Sequence, residues 1–153
     1  MPMQRKRWIV VGMDFSDGAI RALDYALEHA QAVGASVACV HAYEDPAATP
    51  AFHDPAPAIF QQLEEVTLQR TPAACNVRVD CVVRRGAPWE KLANVARELG
   101  AELIVVGVDG ERGASREGFV GTVAHRLVTT SSRPVVVVPL RPHLDGGGCP
   151  GRR

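Results

Sequence analysis

Apolar residues in this chain alternate between short unbroken runs and longer spaced stripes, the two patterns that buried strands and amphipathic helices leave in a sequence. Trp8-Ile9-Val10-Val11-Gly12 is an unbroken run and predicts a strand buried on both faces; it stops at Asp14-Phe15-Ser16, where polar side chains favour a turn. Ser16 or Asp17 suits the N-cap of a helix whose Ile20, Leu23, Leu27 and Ala30 share one face, and Gly34 supplies a left-handed stop. Val37-Ala38-Cys39-Val40-His41 predicts a second strand. From Asp45 to Pro57 four prolines stand among small and acidic residues and predict a loop, a flap over the domain. Ile59, Leu63 and Val66 predict a second helix ending near Pro72.

In the next stretch Val77, Val79, Cys81 and Val83 alternate with Arg78, Asp80, Val82 and Arg84, so the third strand has one partly wet face and belongs at a sheet edge. Pro88 fits the first turn of a third helix, where its missing amide hydrogen costs nothing; Trp89, Leu92, Val95 and Leu99 make that helix's stripe and Gly100 ends it. Leu103-Ile104-Val105-Val106 shows no alternation and predicts an interior strand. Val123, Ala124, Leu127 and Val128 predict a fourth helix. Val135-Val136-Val137-Val138, bracketed by Pro134 and Pro139, predicts a fifth strand.

Strands and helices that alternate in this way are joined by right-handed crossovers, which gives an α/β three-layer sandwich around a five-stranded parallel sheet. At 153 residues one domain is the expectation: a tail over 1–6, the domain over 7–140, and a disordered tail over 141–153, where Gly146-Gly147-Gly148 and Pro150 offer little apolar surface. Lys plus Arg and Asp plus Glu both count 17, so no net field draws the chain toward nucleic acid or anionic lipid. No apolar run approaches the roughly 20 residues that span a bilayer. The cysteines Cys39, Cys75, Cys81 and Cys149 form no C-x-x-C pair, and two fall inside predicted strands as small buried hydrophobes, which suits the cytoplasm.

Candidate chemistry gathers around three glycines: Gly107 at the end of the fourth strand, Gly110 three residues on, and Gly121 before Thr122 at the start of the fourth helix. Glycine at a strand end admits a close backbone approach, and the amides that open a helix point at phosphate oxygens with the positive end of the dipole behind them. Other phosphate and catalytic patterns are missing. Phe119-Val120 stands where a P-loop needs Lys and Ser or Thr, no G-x-G-x-x-G follows the first strand, and Gly113-Ala114-Ser115-Arg116-Glu117-Gly118 is not a nucleophile elbow. The five histidines show neither i,i+4 pairing nor a cysteine at metal spacing.

The glycine spacing resembles that of the universal stress protein family, whose nucleotide-binding members carry glycine, two residues, glycine, nine residues, then glycine and Ser or Thr. Here ten residues, Glu111 to Val120, precede Gly121-Thr122. The resemblance spans about residues 7 to 140 and includes Val10-Val11-Gly12-Met13-Asp14-Phe15-Ser16, Gly86-Ala87-Pro88, Leu103-Ile104-Val105-Val106-Gly107 and Arg133-Pro134-Val135-Val136-Val137-Val138-Pro139. It implies the adenine nucleotide alpha hydrolase-like strand order 3-2-1-4-5 and a bound adenine nucleotide, ATP. Met13, Asp14 and Val40 would meet the base and ribose, and Gly107, Gly110, Gly121, Thr122 and Val123 would cradle ribose and phosphates. It also implies a homodimer paired through Val135 to Val138.

Asp109 departs from the neutral or basic residue expected between the two glycines. At about 4 Å a like charge costs on the order of 1 kcal/mol in water and ~4 kcal/mol at an effective dielectric near 20. Either Asp109 faces away or it helps hold Mg²⁺ through water, with Arg112 and Arg116 nearby. The expectation is therefore an ATP-binding module in stress response or signalling, with at most slow hydrolysis, since no general base is poised beside a nucleophile. The alternative is a dimeric interaction protein of the same fold that has lost the nucleotide. ATP pyrophosphatases and nucleotidylyl transferases share the adenine-binding architecture, but their Ser-Gly-Gly-x-Asp-Ser loop and paired-histidine motif are missing.

Overall fold

The structure, a computed structural model, describes residues 5–44, 54–108 and 120–140. The elements run β1 (Trp8–Gly12), α1 (Asp17–Val33), β2 (Ser36–Tyr43), α2 (Ala56–Arg70), β3 (Val79–Arg85), α3 (Pro88–Leu99), β4 (Leu103–Gly107), α4 (Thr122–Thr130) and β5 (Val135–Val138). All four strand pairings are parallel, in the order β3-β2-β1-β4-β5, so β3 and β5 are the edges and β4 is interior; the alternation in β3 and the unbroken run in β4 match their places. The proline loop over 45–53, the N-terminal residues 1–4 and the tail over 141–153 lie outside the described residues.

Side chains of successive strand residues go to opposite faces, and two separate cores result. Ile9, Val11, Val37, Cys39 and Val105 pack under α1 and Leu63 of α2. Val10, Ala38, Val40, Ile104 and Val106 pack under α3 and α4, against Leu92, Val95, Ala124 and Leu127. Each such Val, Leu or Ile withdrawn from water contributes roughly 1.5–3 kcal/mol before chain entropy is counted. Four ion pairs among the described residues, by contrast, are surface contacts such as Arg7 with Glu102 at 2.8 Å, and pairs of that kind contribute ~0–1 kcal/mol each.

Ser16 is the cap of α1: its Oγ accepts the Ala19 amide at 3.2 Å, and Gly34 closes the helix at φ 71°. The buried face of α1 is wider than the Leu23, Leu27 and Ala30 stripe, because Gly18, Ala19, Ala22 and Ala26 are buried as well while Ile20 is half-exposed. Small side chains let this helix lie close to β1 and β4. Helix α2 begins at Ala56, inside the stretch expected to be loop. Pro57 is accommodated because the first turn needs no amide hydrogen from it, and Asp54 accepts the Ala56 amide at 3.0 Å. In α3, Leu92, Val95 and Ala96 are buried, whereas Trp89 and Leu99 are only partly covered. Val128 does not join the core. A nine-residue α4 reaches it through the buried Ala124 and Leu127 and the partly covered Val123, which leaves Val128 59% exposed.

Candidate functional site

The sheet order creates a crevice before any side chain is considered. β1 feeds α1 on one face and its neighbour β4 feeds α4 on the other, so the two connections part company at the carboxyl ends of β1 and β4. Ligands of open α/β sheets bind at such a switch point.

On the β4 side, Val108 donates its amide to Val138 O at 3.0 Å and accepts the Gly121 amide at 2.6 Å. That second bond draws the start of α4 onto the end of β4 and brings Gly121 and Thr122 to within a residue's reach of Gly107. Gly121, buried at φ −58° and ψ 157°, caps α4 with no side chain. The first helical bond is His125 N–H to Gly121 O at 2.9 Å. The amides of Thr122, Val123 and Ala124 therefore have no partner among the described residues. Three outward amides at a positive dipole end form an anion-binding arrangement. Gly110 and Asp109, with Arg112 and Arg116, lie outside the described residues.

Gly107 has a packing reason of its own. A Cβ built on it would lie 2.7 Å from the Gly18 carbonyl carbon and 2.8 Å from its oxygen. The side of Gly107 that the sequence reserves for a ligand's approach is thus occupied by the first turn of α1, and only its main chain remains to line the crevice. Gly18 is the partner that periodicity missed. A glycine in the first turn of a helix, paired with one at a strand end, is the signal that finds it.

On the β1 side, Met13 donates its amide to Val40 O at 2.8 Å, extending the β1–β2 ladder beyond Gly12. Met13 and Val40 bury their side chains, at 2% and 1% exposure, so only their main chains are available to a base. Asp14 Oδ1 accepts the Ser16 amide at 3.0 Å and also the Ser16 hydroxyl. Asp14 thus braces the residue that caps α1 and does not cap it directly. Phe15 follows at φ 63°, the one non-glycine residue with positive φ among those described. His41, one of the histidines without a metal-spaced partner in the sequence, has its Nδ1 2.7 Å from Met13 O and its ring against Phe15.

Elsewhere the chemistry is quiet. Cys39 and Cys81 are register partners on β2 and β3, and burial raises the pKa of both thiols; for Cys39 the neighbouring Cys81 adds to it. Both are free and protonated at neutral pH, as is expected of cysteines used as core filler. A hollow of about 430 Å³ opens between the start of α2 and β3, lined in part by Phe60, Cys81 and Val83. It lies at the β3 edge, two strands from the crevice, and collects no set of convergent donors. Among the described residues no group of three or more His, Cys, Asp or Glu could hold a metal ion, and no helix is long and apolar enough to cross a membrane.

Known proteins agree with this architecture. The sequence profile of the universal stress protein family matches residues 6–139. A Thermus aquaticus protein, described as the universal stress protein in the QAH/OAS sulfhydrylase 3′ region, is 32% identical over 133 residues, 85% of this chain and 96% of that one. A universal stress protein solved in complex with cAMP superposes with a TM-score of 0.69 at 27% identity, over 90% of this chain and 99% of the other. The Archaeoglobus fulgidus universal stress protein solved with dAMP has a TM-score of 0.63 at 23% identity, over 87% and 98%, a likeness of fold. The five-stranded parallel sheet in the order 3-2-1-4-5 is that of the adenine nucleotide alpha hydrolase-like fold. Sequence profile, relatives and sheet order meet on the same residues, and the chain belongs to the universal stress protein family.

Proposed function

We propose that this chain is an adenine-nucleotide binding module, with ATP as its ligand, acting in stress response or signalling in the cytoplasm. What supports this most is the uncapped start of α4, held by Val108 O at the end of the strand next to β1. Its amides at Thr122, Val123 and Ala124 would take the phosphates. The main chains of Met13 and Val40 would meet the base, and Asp14 would meet the ribose. The solved relative that binds cAMP, at 27% identity, supports an adenine ligand in this crevice. Mg²⁺ would enter with the phosphates, near Asp109.

Calorimetric titration with ATP, with and without Mg²⁺, and then with AMP and cAMP tests this. Saturable heat with ATP is expected, and silence with every adenine nucleotide at millimolar concentration would overturn it. Asp109 and the additional loop residue favour the second reading, a dimeric interaction protein without nucleotide, which that silence would support. Any turnover should be slow, because the sequence shows no poised pair of general base and nucleophile.

The same reading makes the protein a homodimer. β5 is an edge strand whose four valines are all half-buried in the single chain, an apolar edge that another strand would cover. Sedimentation velocity at micromolar concentration should show twice the 16.4 kDa chain mass. A single species at the chain mass would remove the dimer.

A further inference from the structure

We propose that His41 is a positioning residue that locks the β1–α1 loop around Asp14 and so sets the geometry of the base end of the crevice. The proposal rests on the nucleotide reading above and adds to it a residue that the family's glycine spacing does not point to.

Two separate contacts carry it. Met13 O can only accept, so at 2.7 Å the Nδ1 of His41 must carry the hydrogen and donate it. The imidazole ring also lies 5.0 Å from the Phe15 ring, tilted by 36°. Met13 and Phe15 flank Asp14, so a single side chain from β2 holds the loop on both sides of the carboxylate. Met13 is gripped twice by β2, through its amide to Val40 O at 2.8 Å and through its carbonyl to His41. Asp14 is then turned inward on itself by the Ser16 amide at 3.0 Å.

The loop needs such a hold. Phe15 sits at φ 63°, where an L residue crowds its own carbonyl at a cost of about 1–2 kcal/mol. A bulky residue in that conformation persists only when its surroundings impose it, and beside the core on which Phe15 packs these include the ring of His41 and its hydrogen bond to Met13 O. Leave Met13 O without its donor and the Met13–Asp14 peptide, next to the strained Phe15, is free to turn over, which moves Asp14 relative to the Thr122 end of the crevice. A histidine kept only to fill a core would need neither the hydrogen bond nor the ring contact with this one loop.

The test separates the donor from the ring and both from bulk stability. His41→Asn keeps an N–H near the position of Nδ1, and His41→Phe keeps a ring and removes the donor. Leu63→Val, on α2 and fully buried, supplies a loss of stability far from the crevice. ATP affinity by calorimetry and thermal stability without nucleotide are measured for all four proteins. His41→Phe is expected to bind about tenfold more weakly, the size of one lost hydrogen bond, while His41→Asn stays within about threefold of the parent. Leu63→Val should melt lower yet bind as the parent does. Undiminished binding by His41→Phe would overturn the proposal, as would an equal loss in His41→Asn or in Leu63→Val. A parent chain that binds no nucleotide would remove the nucleotide reading and this proposal together, an outcome distinct from parent binding that His41→Phe retains.

Discussion

Gly107→Ala is expected to lower stability by about 3 kcal/mol, well beyond an ordinary surface or strand substitution. The added Cβ would stand 2.7 Å from the carbonyl carbon and 2.8 Å from the oxygen of Gly18. Both are main-chain atoms in the first turn of α1, so no side chain can rotate away, and either α1 lifts off β4 or the end of β4 is displaced. Gly12→Ala is the internal comparison. There the nearest atom is Leu92 Cδ1 at 2.9 Å, the end of a flexible side chain, and the next is Val106 Cγ1 at 3.2 Å. For a chain of this length each kcal/mol shifts the melting temperature by about 2–4 °C, so thermal unfolding should show a loss of ~6–12 °C for Gly107→Ala and less than half of that for Gly12→Ala. Equal, small losses in both would mean that α1 does not approach β4 as closely as Gly18 and Gly107 require.

Thr122→Pro should weaken ATP binding about 10- to 100-fold while leaving the fold almost untouched. Thr122 is the first residue of α4, and its amide has no helical partner, so a proline there removes no internal bond. The preceding Gly121, at ψ 157°, already has the extended conformation that a residue before proline needs. The same sheet accepts the arrangement at α3, where Pro88 follows Ala87 at φ −63° and ψ 127°. What the substitution deletes is one amide hydrogen aimed at phosphate, together with the hydroxyl. A hydrogen bond to a charged group contributes about 1.5–3 kcal/mol, which sets the size of the expected loss. Thr122→Val keeps the amide and drops only the hydroxyl, so it should bind more tightly than Thr122→Pro. Calorimetric affinity and melting temperature for the pair decide the matter: parent-like affinity in Thr122→Pro would take the phosphates away from α4.

Much of this architecture is visible in residue order. The unbroken runs at Ile9–Val11 and Ile104–Val106 become the buried strands β1 and β4, and the half-wet alternation from Val79 to Val83 becomes an edge. Burial of strands and the period of their side chains are local properties, so hydrophobic order reports them. Helix faces are less legible. Val128 fits the stripe of α4 but faces solvent, and Ala19, Ala22 and Ala26 are buried although apolar periodicity favours the larger Ile20. The difference lies in how near the opposing layer comes, which a helix's own sequence does not contain.

At the candidate site the division is the same. Gly121 and Thr122 were legible because an uncapped helix start after a glycine is a local feature, and the structure brings them onto the end of β4 through the Val108–Gly121 bond. Gly18 and His41 were not, since each acts through a partner distant in sequence: Gly18 through Gly107, and His41 through Met13 and Phe15. Residue order alone carries the alternation of strands and helices, the parallel sheet and the wet edge at β3, which follow from side-chain period and turn chemistry along the chain, while the place of β5 came from the family resemblance. Which glycine serves helix packing, which residue caps α1 and what holds the loop around Asp14 depend on the folded arrangement. Those are close contacts between elements, set by distances of a few ångströms that no one-dimensional pattern records.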